Sequence, residues 1–164
     1  MIERIQIQLN RYEIGSLQDV ILILEDSVTG LRSLSEKTEV SIAMTTFSEI
    51  ASERDEYVNQ LSSFVILDQS PVRLGSRNSR WKAALDYAEE KRWTRVMRSL
   101  QLGESSLLNA YCSANETNHR QLKEVISNQL LEIRAQQRLI SYVGSFLIES
   151  RETGEDPLNV VTHS

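Results

Sequence analysis

The helical spacing of apolar residues is the feature of this sequence that most constrains its fold. In four long segments these residues recur at alternating intervals of three and four, which places them on one face of an α-helix. Each such face must be buried against other helices, so the pattern predicts an all-α protein built as an antiparallel bundle of four long helices. The predicted helices cover about residues 15–36, 41–64, 91–113 and 116–150, and their predicted core positions are Leu17, Ile21, Leu24, Val28 and Leu31; Ala43, Phe47, Ile50, Tyr57, Leu61 and Phe64; Trp93, Met97, Leu100, Leu107 and Tyr111; and Leu122, Ile126, Ile133, Ile140, Val143 and Leu147.

The composition also favours helices. The chain of 164 residues contains only 6 Gly and 2 Pro, and its Leu, Glu, Arg and Gln residues are good helix formers. A chain of this length can bury roughly two thirds of its unfolded surface, which is enough for one core without disulfides or metals. We therefore predict one domain over residues 15–150, preceded by an N-terminal extension (1–14) and followed by a flexible tail (151–164).

The connection between the second and third long helices is itself partly structured. Residues 66–80 contain a Pro, a Gly and several turn-favouring polar residues, whereas the sequence WKAALDYAEE at 81–90 predicts a short helix. A connection of about 25 residues fits a crossover that runs along the bundle and joins two parallel helices. We expect Trp81 and Trp93 to anchor this crossover to the bundle.

Charge and cysteine content exclude several classes of function. The net charge is −5 and the basic residues are scattered among acidic ones, unlike the clustered basic surface of nucleic-acid-binding proteins. The most apolar run, at 20–24, is far shorter than the roughly 20 residues of a membrane span. The first residues lack a signal-peptide core, and the single cysteine, Cys112, cannot form an internal disulfide. We therefore expect a cytoplasmic protein that binds neither membranes nor nucleic acid.

Two of the apolar stripes are interrupted by a charged residue, Arg54 in the second helix and Glu104 in the third. When the helices lie side by side, these residues reach the depth of Val28 and of Gln136 or Gln137, near the middle of helices about 30 Å long. A buried Arg and Glu are costly unless they are paired, so we expect Arg54 and Glu104 to pair across the bundle. A glutamine of the fourth helix is expected to satisfy the remaining donors. Such a polar layer sets the register of the helices.

A metal site is the alternative interpretation of this layer. Bundles of this kind bind two metal ions with one Glu from each of two helices and a Glu-x-x-His pair from each of the other two. The two histidines, His119 and His163, lie far from the middle of any predicted helix. The remaining candidate ligands are Glu104, Glu53 and Glu56, and the last two flank the stripe of the second helix. The pattern thus favours a layer without metal or other cofactor, with iron or manganese as the alternative.

Other catalytic arrangements are incomplete. Cys112 lies in the last turn of the third helix with no histidine near it in the chain, and we expect a buried, unreactive thiol there. The sequence GESS at 103–106 lacks the strand–turn–helix context of a nucleophile elbow. These observations favour a non-enzymatic protein over an enzyme.

The stretch RWKAALDYAEEKRWTRVMRSLQLGESSLLNAY resembles an uncharacterised bacterial family with a ferritin-like, rubrerythrin-like four-helix bundle. The likeness extends to SERDEYVNQL in the second helix and EIRAQQRLI in the fourth. The resemblance implies a ferritin-like fold with a short extra helix in the crossover between helices two and three. Active ferritin-like proteins hold a di-iron centre, and only Glu104 matches a ligand position. Val28 stands where a Glu is expected and Gln137 where a His is expected, which implies a degenerate metal site.

Two functional hypotheses follow. The first is a non-enzymatic bundle that acts through self-association, as a homodimer, or by binding another protein. The second is a metal-binding ferritin-like oxidoreductase or storage protein that uses iron or manganese. The first is favoured by apolar residues outside the narrow stripes, namely Ile14, Ile23, Val58, Val65, Leu108, Leu130 and Phe146.

Overall fold

Five α-helices form the regular structure in the computed structural model, which describes residues 9–65 and 79–153. The all-α prediction is confirmed for these residues, which contain no β-strand. None of the helices described here combines the length and apolar character that crossing a bilayer requires. The helices are α1 (Arg11–Lys37), α2 (Ser41–Ser62), α3 (Ser79–Glu89), α4 (Trp93–Ala114) and α5 (Arg120–Thr153).

The four long helices surround a shared core, and α3 covers one side of it. Helices α1 and α5 each pack against α2 and α4, while α3 packs against α1 and α4. Consequently α2 and α4 occupy opposite corners. Side-chain bonds fix the helix directions, since Glu13 bonds Thr117 just beyond the end of α4 and Lys37 bonds Glu89 just before α4 begins. Helix α4 is therefore antiparallel to α1 and runs in the same direction as α2.

A capping box starts α1 four residues earlier than predicted. The Asn10 side chain accepts a hydrogen bond from the backbone N of Glu13 at 2.8 Å, and the Glu13 carboxylate accepts one from the backbone N of Asn10 at 3.2 Å. These bonds satisfy N–H groups that a helix leaves free in its first turn. Residues 11–14 therefore belong to the helix and not to an N-terminal extension. Residues 1–8 lie outside the described part of the chain.

The later helix boundaries also differ from the prediction. Lys91 has a positive φ of 55°, which interrupts the helical backbone, so that α4 begins only at Trp93. After a turn, α5 begins at Arg120, four residues later than predicted, and continues to Thr153. The predicted tail, starting at residue 151, therefore begins too early. Residues 154–164 lie outside the described part.

The apolar core is divided into two clusters. Every predicted core residue is buried except Phe64, which is half-buried just beyond the end of α2. The first cluster lies at the end of the bundle covered by α3, and the second lies at the opposite end. The first cluster includes Leu31, Leu34, Phe47, Ile50, Trp81, Leu100, Ile140 and Val143; the second includes Leu17, Ile21, Leu24, Tyr57, Leu61, Leu107, Tyr111, Ile126 and Ile133.

Trp81 attaches α3 to the bundle by packing over two glycines. A Cβ atom added at Gly30 of α1 would lie 2.6 Å from the Trp81 Cβ, and one added at Gly103 of α4 would lie 3.0 Å from the indole Cε2. Only glycine leaves enough space for this approach at its present distance. Trp81 and Trp93 are both buried in the first cluster, so both tryptophans contribute to the packing of the helices that follow the crossover.

The apolar residues outside the stripes pack largely within the chain itself. Val58 is buried, and most of the others lie against the two clusters. They therefore do not form the free apolar face that their number suggested. The buried face of each helix is broad enough to include them inside the chain. Among residues 9–65 and 79–153, the large apolar side chains that are exposed are instead Tyr12, Met44, Leu102, Leu131, Leu139 and Tyr142.

Candidate functional site

A bidentate ion pair occupies the middle of the bundle. Arg54, which has no solvent-exposed surface, donates from its two terminal nitrogens to the two carboxylate oxygens of Glu104, at 2.8 and 2.5 Å. The two residues belong to α2 and α4, so the pair spans the diagonal of the bundle. Parallel N–H···O bonds of this kind are strong and directional. The structure thus brings together the two charged residues that interrupt the sequence stripes.

Gln136 completes the bonding of Arg54. Its side-chain oxygen accepts from the Arg54 Nε at 2.9 Å, and its amide nitrogen donates to Glu53 at 2.9 Å and to the Tyr57 hydroxyl at 3.0 Å. The neighbouring Gln137 is half-buried and donates to the backbone oxygen of Glu104 at 3.1 Å, not to a charged side chain. Of the two candidate glutamines, Gln136 is therefore the one that bonds the guanidinium.

A second polar layer lies about two helical turns further along the bundle. The Tyr111 hydroxyl donates to the Gln129 side-chain oxygen at 2.8 Å, and the Gln129 amide donates to Gln60 at 2.9 Å and to the backbone oxygen of Tyr57 at 3.4 Å. Sequence reasoning missed this layer. The signal was present, because the stripe of α5 is interrupted between Ile126 and Ile133, where Gln129 occupies the core position.

The two layers join into one network that reaches solvent between α2 and α5. The Tyr57 hydroxyl donates to Glu132, which is exposed, and Glu53 is exposed as well. The layer of Arg54, Glu104 and Gln136 lies between the two apolar clusters, which meet α2 on either side of Arg54, whereas the Tyr111–Gln129 layer lies within the second cluster. The network therefore has a buried charged centre, while the carboxylates of Glu53 and Glu132 at its ends are exposed.

The tyrosines of the network are held in their neutral form. Burial raises the pKa of Tyr111, and the nearby Arg54 opposes this shift only in part. Burial also raises the pKa of Tyr57, and its hydrogen bond to the Glu132 carboxylate raises it further. Both hydroxyls donate hydrogen bonds that would be lost on ionisation.

We expect these two tyrosines to resist ionisation and to make stability fall at alkaline pH. The chain has five tyrosines, and a free tyrosine ionises near pH 10. Because the folded-state pKa of Tyr57 and Tyr111 lies above that value, the unfolded chain releases protons first as the pH rises through about 10, which favours unfolding. An ultraviolet titration should show that two of the five tyrosines ionise only when the protein unfolds. Five ionising together in the folded state would contradict the expectation.

The residues at the centre do not fit a di-iron site. Both carboxylate oxygens of Glu104 are bonded to a guanidinium, which would repel a cation, and Val28 contributes an apolar side chain on α1. Glu53 and Glu56 are exposed on α2. Within residues 9–65 and 79–153, no three His, Cys, Asp or Glu side chains lie close enough together to hold a metal ion.

His119 lies at the end of the bundle, just before α5. Its Nε2 is 3.7 Å from Glu13, and the same carboxylate accepts a hydrogen bond from Thr117. The Thr117 hydrogen bond and, to a smaller extent, the nearby His119 lower the pKa of Glu13. This cluster ties the start of α1 to the connection between α4 and α5, far from the central pair. His163 lies outside the described residues.

Cys112 is exposed, so the expectation of a buried thiol was wrong. It lies in the last turn of α4, next to the buried Tyr111, and points away from the face that enters the core.

The polar network can align helices and bury a charge pair, and its donors and acceptors are largely occupied by one another. Arg54, Glu104 and Gln136 together connect α2, α4 and α5, so a shift of any one of these helices breaks a buried bond. No protein-family model, curated protein or solved structure matches this chain.

Proposed function

We propose that the chain is a non-enzymatic helical-bundle protein of the ferritin-like type, in which a polar layer takes the place of a di-iron centre. In this proposal it acts in the cytoplasm through self-association or by binding another protein. The observation that carries the proposal is the buried Arg54 guanidinium, which is bonded to Glu104 where a metal would have to bind. Such a centre stabilises a defined helix arrangement instead of performing redox chemistry.

The order of the helices supports the ferritin-like assignment. Helices α2 and α4 run in the same direction at opposite corners and are joined by the connection that contains α3. A bundle with one long crossover connection has this arrangement. The resemblance in the stretch from Arg80 to Tyr111 points to the same type of bundle.

Exposed apolar residues on α5 support a binding role. Three apolar side chains of this helix are largely exposed: Leu131 (67% exposed), Tyr142 (57%) and Leu139 (50%). Single apolar residues on a surface need no explanation, but three on the outer side of one helix favour a binding surface. The simplest partner is a second copy of the chain, since two-fold dimers are the commonest assemblies.

We expect the protein to form dimers at micromolar concentration, because association removes this apolar surface from water. Sedimentation velocity should then give a mass twice that of the 18.8 kDa chain. A sample that sediments only as monomer across the micromolar range would exclude self-association as the mode of action, and binding to another protein would be the remaining form of the proposal.

We also expect no stoichiometric metal after loading with iron or manganese, because the guanidinium of Arg54 repels cations from the buried carboxylate of Glu104. Elemental analysis of the loaded and desalted protein measures this directly. A Glu104→Gln variant is the control for any metal bound at the surface. Metal that is stoichiometric in the natural chain and lost in this variant would support the metal-binding oxidoreductase or storage function instead.

A further inference from the structure

We propose that the outer face of α5 is the interface for a second copy of this chain, related by a two-fold axis that runs along the helix. This inference rests on the proposed function, because it names the partner and the surface through which self-association occurs. The surface is defined by an apolar stripe on α5, formed by Leu131, Leu139 and Tyr142. Phe146, which is half-buried against the first cluster, supports the stripe from beside it: its ring packs edge-on against the Tyr142 ring with centroids 5.0 Å apart.

Helical geometry places these residues on one face. Successive residues of an α-helix are separated by about 100° around its axis, so Tyr142 lies about 20° and Leu139 about 80° from Leu131. Ala135 falls between them and is also exposed. The buried residues Ile133 and Ile140 lie roughly 180° away from Leu131, which shows that the stripe faces away from the core.

An acidic band borders the stripe on the side of α2. The contact of Glu132 with Tyr57 identifies this side of α5. On α2, the contact of Glu53 with Gln136 identifies the edge that adjoins α5. Glu49 precedes Glu53 by one helical turn, and Glu56 follows it by nearly one turn, so both lie beside this edge on the outer surface. All four glutamates are exposed.

A basic band borders the stripe on the side of α4. The bond from Gln137 to the Glu104 backbone identifies that side of α5. Arg134 lies three residues before Gln137 and therefore on the same side, and Arg138 follows Arg134 by one turn. Both arginines are exposed and lie at the level of the apolar stripe.

The order of acidic band, apolar stripe and basic band determines how two copies fit together. A two-fold axis along α5 makes the two helices parallel and brings the acidic band of each copy against the basic band of the other, so that both contacts are attractive. An axis across the helix makes the two helices antiparallel and brings acidic against acidic and basic against basic. Like charges facing each other across an interface are strongly unfavourable. The charge pattern therefore selects the parallel arrangement.

Two charge-reversal variants test this arrangement. The first carries Arg134→Glu and Arg138→Glu, and the second carries Glu49→Lys and Glu56→Lys. Glu53 and Glu132 are left unchanged because they bond the buried network. Each variant alone should sediment as an 18.8 kDa monomer. The first has two acidic bands that repel each other. The second has an α2-side band of two lysines and two glutamates, which carries no net charge and no longer attracts the basic band. An equimolar mixture should form a heterodimer, in which the acidic α2-side band of the first variant faces the basic band of the second and the other two bands no longer carry like charges.

The controls distinguish an error in the proposed α5 interface from an error in the proposed self-association. Lys82→Glu changes a charge on α3, which packs against α1 and α4, and should leave the dimer intact. If the natural chain is a dimer and both charge-reversal variants remain dimeric alone, the proposed surface is wrong while self-association stands. If the natural chain is a monomer, self-association itself fails. Two monomeric variants that retain helical circular dichroism but do not associate on mixing would overturn the band-to-band pairing.

A cross-linking experiment distinguishes parallel from antiparallel helices. Asn128 is exposed and lies on the face of the stripe, close to its N-terminal end. In a Cys112→Ser background, Asn128→Cys should form a disulfide-linked dimer on mild oxidation, because parallel helices place the two copies of residue 128 side by side. Antiparallel helices centred on the stripe would hold them about 27 Å apart, at 1.5 Å per residue. A dimer that cannot be linked at this position would overturn the parallel arrangement.

Discussion

Replacing Arg54 by Leu is expected to lower the free energy of unfolding by about 3–5 kcal/mol. The substitution leaves the Glu104 carboxylate buried without its two charged hydrogen bonds, and it removes the donor to the Gln136 oxygen. Chemical denaturation followed by circular dichroism measures the change. A loss below about 1 kcal/mol would mean that the pair is solvated in the folded protein.

The double variant Arg54→Leu, Glu104→Leu is expected to recover most of this loss, because both charges leave the core together. The Gln136 oxygen remains without its donor, so part of the cost persists. The exposed pair of Arg32 and Asp55, which lies 3.5 Å apart with both side chains about half exposed, is the matched control. Its double-mutant cycle should give a coupling below about 1 kcal/mol. Additive effects at the buried pair would contradict the expected coupling.

Replacing Trp81 by Ala is expected to cost about 3–5 kcal/mol, because it removes a buried indole and leaves a cavity between α1, α3 and α4. Trp81 is only 2% exposed and belongs to the first apolar cluster. Thermal or chemical unfolding measures the loss. A loss below about 1 kcal/mol would show that α3 contributes little to the stability of the bundle.

The glycine beneath the indole supplies a second test of the same contact. Gly103→Ala should destabilise the natural chain, because its Cβ would lie 3.0 Å from the indole of Trp81. In the Trp81→Ala background the same change should become neutral or stabilising, since Ala is favoured over Gly in a helix by about 1 kcal/mol. The control is Gly15→Ala, because an added Cβ at this position has nothing within 4 Å. This substitution should stabilise the protein in both backgrounds.

The helices and their core faces could be predicted because burial in a bundle follows the helical period. The stripe of α1 shows this, since Leu17, Leu24 and Leu31 are all fully buried. Boundaries were less predictable because they depend on local bonds. The start of α1 was nevertheless readable in the sequence, because Asn10 followed by Glu13 three residues later is a capping-box pattern.

The central pair was accessible to sequence reasoning because a charge in an apolar stripe requires a partner at equal depth. Arg54 and Glu104 could be identified in this way, whereas the sequence does not distinguish Gln136 from Gln137 as the partner of Arg54. That choice depends on the rotation of α5, which its packing against α2 and α4 determines. The participation of Glu53 and Glu132 in the network could not be predicted either, because both lie on exposed faces and have no distinctive sequence pattern.

Exposure of individual residues next to the stripes was the least predictable property. Cys112 follows the buried Tyr111, yet the rotation of about 100° between neighbouring residues carries it to the surface. The apolar residues that looked unpartnered in the sequence mostly pack inside the chain, whereas Leu131 and Tyr142 of α5 are exposed. The candidate interface therefore became visible only once the neighbours of each helix were known.

Arg54 and Glu104 are 50 residues apart in the sequence, and their helices α2 and α4 face each other across the bundle. The helix pairs α1–α2 and α4–α5 can form from contacts that are close in sequence, and such contacts form quickly. The bonds between Arg54 and Glu104 can form only after these two helix pairs have packed against each other, so we expect them to form late in folding. An interaction absent from the folding transition state slows unfolding and leaves the folding rate unchanged. We therefore expect the Arg54–Glu104 pair to slow unfolding. The Arg54→Leu variant should unfold faster than the natural chain and fold at nearly the same rate, so the lifetime of its folded state should be shorter.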